Sequence, residues 1–157
     1  MRQLGQRPLD PFGLATVNID VEGEATLTGP MRKILLLEDR GDFRQVLHDY
    51  LVLSHFEVTS VQSGIDGLRK IMEGSFDVII CDMLMPKMGG EMFYWAVTRA
   101  RPATRNRFIF FTGHKNNPQL EFFFKRINAT VLFKPFKLAA LDSAIRDVAG
   151  KLGYKLV

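Results

Sequence analysis

Three stretches of this chain, KILLLED (33–39), FDVIICD (76–82) and RFIFFTG (107–113), set four apolar residues in a row and then run into a carboxylate or a hydroxyl. A strand with one face in water shows a polar residue at every second position. A short run without that alternation suits a strand covered on both faces. FEVTSV (56–61) and ATVLF (129–133) read as two further strands. Strands of this kind need cover above and below, so the chain between them decides the fold.

That intervening chain has helical spacing. From Asp42 to Ser54 it puts Phe43, Val46, Leu47, Tyr50, Leu51 and Val52 or Leu53 on one side. Ser63 to Glu73 follows, with Ser63 as an N-cap. Then come Gly90 to Arg101, closed by Pro102, and NPQLEFFFKRI (117–127), with Pro118 in its first turn. Lys137 to Leu152 presents Leu138, Leu141, Ile145, Val148 and Leu152 to a core. Phe122, Phe123 and Phe124 cannot all face inward at 100° per residue, so at least one is expected at the surface. Five strands alternating with five helices predict an α/β fold, an open, doubly wound parallel sheet. Right-handed crossovers put helices on both faces, and the usual five-strand solution is the flavodoxin-like order 2-1-3-4-5.

Composition limits the alternatives. The chain has 157 residues, 46% of them hydrophobic and 24% charged, which suits one domain. Its apolar stretches fall short of the roughly 20 residues of a membrane-spanning helix. The N-terminal MRQLGQRPLDPFG lacks an apolar signal-peptide core, so a cytoplasmic location is expected. Cys81, the single cysteine, has no internal disulfide partner and reads as a small buried strand residue. His48, His55 and His114 lack metal-ligand spacing. Residues 1–30 carry a net charge of −2, leaving +6 for residues 31–157. Those basic residues are scattered and accompany no helix-turn-helix pattern, which argues against nucleic acid. Residues 1–30 stand apart as an N-terminal extension, either flexible or a short hairpin. Val17, Ile19 and Val21 alternate with polar residues there, and Glu22-Gly23-Glu24 could turn them against Ala25-Leu27. Residues 31–157 form the main domain.

Doubly wound sheets bind ligands beyond the carboxyl ends of their strands. At those ends stand Glu38-Asp39, Asp82, Thr112-Gly113 and Lys134-Pro135. Taken singly, Glu38 and Asp39 could cap the next helix, and the others could be ordinary loop residues. Together they gather three carboxylates, a hydroxyl and an ammonium on one edge. Carboxylates that close raise one another's pKa unless a cation neutralises them. A hard divalent ion with oxygen ligands, Mg2+, is the natural partner, and it leaves positions open for phosphate oxygens.

Here the chain from Met31 to about Leu152 resembles the receiver domain of two-component response regulators. ILLLEDR resembles the acidic strand-end motif, CDMLMPKMGG the phosphoacceptor loop, FFTGH the hydroxyl switch and LFKPF the K-P-F signature, in order and with matching intervals. The resemblance implies that Asp82 takes a phosphoryl group from a phosphohistidine. It implies that Glu38, Asp39, Asp82 and the Leu84 backbone carbonyl hold Mg2+. Thr112 would donate to a phosphoryl oxygen, helped by the Met83 and Gly113 N–H groups, and Lys134 would meet another. Pro135 would follow a cis bond. His114 would stand at the rim, where it affects the access of water.

The implied partners are a sensor histidine kinase or histidine phosphotransfer protein and a downstream effector, with a homodimer also open. The segment after Gly113 also looks like the receivers of hybrid sensor kinases. The match leaves no stretch for an output domain, so the expected role is a switch read by another protein, with no external substrate. Two alternatives stand beside it. A Mg2+-dependent phosphatase with an aspartyl nucleophile would need a second acid where Leu84 stands. A receiver-shaped module that is never phosphorylated would have no use for the five polar groups. One departure from the family pattern is Val131, where an aromatic switch residue is common; Phe133 faces the same side of the strand. The expected switch therefore runs through Thr112 and the loop after Asp82.

Overall fold

Side chains along a strand point alternately to opposite faces, and in this protein that alternation divides the core in two. The structure, a computed structural model, describes residues 14–19, 25–28 and 33–156. In chain order the elements are β1 (Leu14–Ile19), β2 (Ala25–Thr28), β3 (Lys33–Leu37), α1 (Gly41–Leu53), β4 (Glu57–Val61), α2 (Gly64–Glu73) and β5 (Val78–Asp82). Then follow α3 (Gly90–Ala100), β6 (Phe108–Thr112), α4 (Pro118–Ile127), β7 (Thr130–Phe133), α5 (Leu138–Lys151) and β8 (Tyr154–Leu156). A short 3-10 turn, Pro102–Thr104, links α3 to β6.

The main sheet runs β4-β3-β5-β6-β7, all parallel, which is the predicted order. Ile34, Leu36, Val78, Ile80, Ile109 and Phe111 face α1 and α5, where Leu47, Leu51, Leu141, Ile145 and Val148 cover them. Leu35, Leu37, Ile79, Cys81, Phe108 and Phe110 face the other way, onto Ile71, Phe93, Tyr94, Val97 and Phe123. The unbroken apolar runs are thus explained by cover on both faces. Gly67 lets α2 close on β3, since a Cβ there would lie 2.4 Å from Leu37 Cδ2.

Local chemistry sets the helix ends. Ser63 Oγ accepts from the Asp66 N–H at 3.1 Å. Asn117 Oδ1 accepts from the Gln119 and Leu120 N–H groups, with Pro118 at the first helical position. α4 stops at Asn128, whose φ of 52° is left-handed.

Several expected core positions differ. Val46, Val52 and Leu53 of α1 are exposed, as is Leu138 of α5. Only a stripe about 100° wide can meet the sheet, and Leu47 and Leu51 occupy it in α1. Leu138 opens α5, nearly a turn before Leu141, the first of its residues to be buried. Phe122 is the exposed member of the Phe122–Phe124 triplet.

In the N-terminal stretch, β1 pairs antiparallel with β2, Thr16 opposite Thr28 and Ile19 opposite Ala25. β8 pairs with the other edge of β1, Thr16 opposite Tyr154. That third strand escaped the sequence, because three residues carry little pattern and the partner lies at the far end of the chain. Val21 and the Glu22-Gly23-Glu24 turn lie outside the described residues.

Candidate functional site at the carboxyl edge of the sheet

β3 and β5 are neighbours at the centre of the sheet, with Leu37 in register with Cys81. The residues that follow, Glu38 and Asp82, therefore emerge side by side. Glu38 is fully buried, and its N–H extends the ladder to Val61 O at 3.1 Å. Its Oε1 accepts from the Arg40 N–H at 3.2 Å and its Oε2 from Lys134 Nζ at 3.3 Å. The nearly buried Asp82 accepts from Lys134 Nζ at 2.8 Å through Oδ2 and from the Leu84 N–H at 3.1 Å through Oδ1. Asp39 is exposed, and one carboxylate oxygen from each of Glu38, Asp39 and Asp82 lies within 4.8 Å of the others.

Lys134 reaches this cluster from the end of β7. Its N–H donates to Thr112 O at 2.8 Å, and the Lys134–Pro135 bond is cis. Its ammonium lies 5.0 Å from the Phe43 ring centroid and 5.5 Å from that of Phe111, a partly apolar box that strengthens its pull on the two carboxylates. Thr112 is buried at the end of β6, and its hydroxyl accepts from the His114 N–H at 3.1 Å. Glu38, Asp39, Asp82 and Lys134 thus form one cluster. Thr112 joins that edge through the backbone, with its side chain turned to His114.

The loop after Asp82 corrects one expectation. The Met83 N–H donates to Phe111 O at 3.0 Å as the last rung between β5 and β6, so it has no hydrogen left for a phosphoryl oxygen. The N–H beside the Asp82 carboxylate is that of Leu84. Lys87, with φ of 68°, turns the loop back. Gly90 then presses α3 against the strand end, where a Cβ would meet Asp82 O and Met83 Cα at 2.9 Å. The loop methionines Met83 and Met85 are buried, whereas Met92, in the first turn of α3, is exposed.

Three residues here were not legible as parts of a site. Arg44 Nη1 donates to Glu38 O at 2.8 Å and steadies the end of β3. Phe43 and Phe111 read as core residues in the sequence, and nothing local places their rings against an ammonium that far along the chain. Val131 is half-buried beside Phe110, and Phe133 is exposed beside Thr112, so β7 offers no inward aromatic.

Burial, together with the hydrogen bond and charge of Asp82, raises the Glu38 carboxyl from 4.5 to about 7, with the Arg40 N–H and Lys134 pulling the other way. Three carboxylates facing one ammonium leave negative charge without an answer. All the side-chain donors are hard oxygens, so the set fits a hard divalent cation. A measurable consequence follows for the metal-free protein. Between pH 4.5 and 7 folded Glu38 holds a proton that unfolded Glu38 releases, so stability falls as pH rises through that window. Its share of the slope is bounded at ~1.4 kcal/mol per pH unit, the value for one proton. Urea midpoints in EDTA across this range should decline with pH, and Glu38→Gln should flatten the decline.

Fold and site together define a class, a flavodoxin-like α/β domain with an acidic, lysine-bridged pocket at the carboxyl edge of its central strands. Residues 34–146 match the response regulator receiver domain, and the chain belongs to that family of two-component signalling proteins. It is 32% identical over 122 residues to a probable chemotaxis protein CheY of Rhizobium etli, covering 76% of this chain and 94% of the relative. The chemotaxis protein CheY4 of Vibrio cholerae superposes with a TM-score of 0.68 at 30% identity, over 75% of this chain and 98% of that one. The receiver domain of a Pseudomonas aeruginosa sensor histidine kinase, solved with magnesium coordinated in its active-site cleft, gives 0.67 at 26% identity. That match covers 76% of this chain and 98% of the other. Receiver domains interact with histidine kinases and phosphotransfer proteins. Among the described residues no helix is long and apolar enough to cross a membrane.

Proposed function

We propose that this protein is a phosphoaccepting receiver of the cytoplasm, in which Asp82 takes a phosphoryl group from the histidine of a sensor kinase or phosphotransfer protein and an effector protein reads the result. The observation that carries this reading is the Asp82 carboxylate, held 2.8 Å from Lys134 Nζ and beside Glu38 and Asp39 at a sheet edge. An Asp82 oxygen attacks phosphorus, the N–P bond breaks, and its electron pair leaves with the imidazole. Lys134 holds the Asp82 carboxylate in place at 2.8 Å, then meets an equatorial oxygen of the incoming group. The Gly113 N–H and the Thr112 hydroxyl complete the set of donors, joined by the Leu84 N–H as it turns from Asp82 Oδ1 to the incoming oxygen.

Glu38, Asp39, Asp82 and the Leu84 carbonyl would hold Mg2+, a reading supported by the Pseudomonas receiver solved with magnesium in its active-site cleft. When bound, that ion supplies charge neutralisation for the carboxylates and the phosphoryl oxygens. The Thr112 hydroxyl accepts from the His114 N–H and keeps its own hydrogen for a phosphoryl oxygen; turning the side chain toward that oxygen would exchange its hold on the His114 N–H for the new contact and loosen the start of the β6–α4 loop. This exchange lets the signal leave the site without an aromatic residue at Val131. The protein acts on its own phosphoryl group and turns over no external substrate.

Incubation with Mg2+ and acetyl phosphate, followed by intact mass measurement, should show one added phosphoryl group, absent in Asp82→Asn and in EDTA. Turnover of phosphate esters would instead indicate a phosphatase. An unchanged mass would mean a passive module.

A further inference from the structure

Away from the acidic edge, α3 and α4 enclose an open groove of about 720 Å3, lined by Met83, Met92, Trp95 and Leu120 with Glu91 and Arg99 at its rim. Trp95 packs edge-on against Tyr94 and Phe123, carries the Arg126 guanidinium 5.3 Å above its ring, and is still 40% exposed. Met92 is 58% exposed. Phe122, 69% exposed, stands one turn before Arg126 on the same flank of α4. The core is complete beneath them, and none of these side chains serves the acidic site. Tryptophan, methionine, phenylalanine and arginine are the residue types enriched where proteins bind proteins. An apolar patch left open between helices marks such a surface.

The charges around the groove select the occupant. Arg99 and Glu91 line the groove, and Arg126, held over the Trp95 ring, adds a second positive group beside it, so carboxylates on the partner are favoured. The walls are two helices and the loop after Met83, with no free strand edge to extend, which leaves a helix laid into the groove as the mode of contact. We propose that the α3–α4 groove docks an acidic amphipathic helix of a partner protein. Its apolar side chains at i, i+3 or i+4, and i+7 enter between Met92, Trp95 and Leu120. Its carboxylates meet Arg99 and Arg126. This surface goes beyond the phosphoaccepting role and does not depend on it, although Met83 at the groove directly follows Asp82.

Trp95 is the sole tryptophan, so its emission reports occupancy directly. The test uses the full chain and two tryptophan-free peptides of about 15 residues, long enough for a helix, with one apolar face flanked by Glu in the first and Lys in the second. The acidic peptide should change Trp95 emission saturably and bind at least ~10-fold more tightly than its basic twin. Combined Arg99→Glu and Arg126→Glu, both at exposed positions in the last turns of their helices, should reverse that preference in a variant that still melts cooperatively. Equal affinities, no saturable response, or a preference that survives the charge reversal would overturn the proposal. So would self-association abolished by Met92→Glu, which assigns the groove to a second copy, or displacement of the peptide by an oligonucleotide.

Discussion

Lys134→Ala is expected to slow phosphoryl uptake at Asp82 by about 10²–10³-fold, the usual effect of removing one preorganised donor from a charged transition state, and to tighten Mg2+ binding at the same time. The two changes have one cause. The Lys134 ammonium bridges Asp82 at 2.8 Å and Glu38 at 3.3 Å, so it competes with any cation for the same oxygens. With the ammonium gone, the carboxylates attract a divalent ion more strongly, but one equatorial oxygen of the phosphoryl group loses its counter-charge. Phosphorylation rates from acetyl phosphate and calorimetric titration with Mg2+ measure the two separately. A slower rate accompanied by weaker metal binding would show that Lys134 chiefly holds the site in shape. A melting curve close to that of the unaltered protein keeps loss of fold from mimicking loss of chemistry.

Phe110→Ala should cost about 3–5 kcal/mol of stability, the range for deleting a buried aromatic ring. Phe110 has no exposed surface. Its ring stacks on Phe108 at 5.4 Å and meets Phe123 at 5.7 Å, Phe124 at 5.9 Å and Tyr94 at 6.0 Å. These neighbours come from a strand and two helices, so they cannot close on the space without moving the elements that carry them. Against a total of about 5–15 kcal/mol for a domain, the loss takes a large share. Urea unfolding followed through Trp95, which packs on two of the same rings, should show a lower midpoint with an unchanged slope. Phe122→Ala, at the exposed position of the same triplet, should stay within about 0.5 kcal/mol. A comparable loss at Phe122 would contradict the burial pattern.

Much of this molecule can be read from short stretches of sequence, because much of it is set by short-range physics. Four apolar residues in a row at 34–37, 78–81 and 108–111 require strands with two covered faces, and the helical stretches between them supply the cover. Ser63 and Asn117 mark helix starts with side-chain oxygens that accept from N–H donors two or three residues on, and Pro118 removes one such donor. Once the strands are parallel, their carboxyl ends share an edge, so residues as distant in sequence as Glu38, Asp82 and Lys134 meet there. The width of each helix's buried face was harder to read. Val46, Val52 and Leu53 fit the helical period loosely, and only the position of the sheet decides that Leu47 and Leu51 fill the available stripe.

Side-chain period and turn chemistry act over a few residues, and they fix the five strands and five helices of the main domain, their order in the sheet and the cluster of carboxylates and lysine at its edge. The tertiary structure decided how the cluster is finished. It placed the Leu84 N–H beside Asp82 and committed that of Met83 to the ladder. It closed the rings of Phe43 and Phe111 around Lys134 and buried Glu38 deeply enough to raise its carboxyl to about 7. It also left Trp95 and Met92 open between α3 and α4, and it joined β8 to β1 across the length of the chain. Each of these depends on the separation of groups carried by different elements. That separation is set by how whole helices and strands pack, which no local pattern encodes.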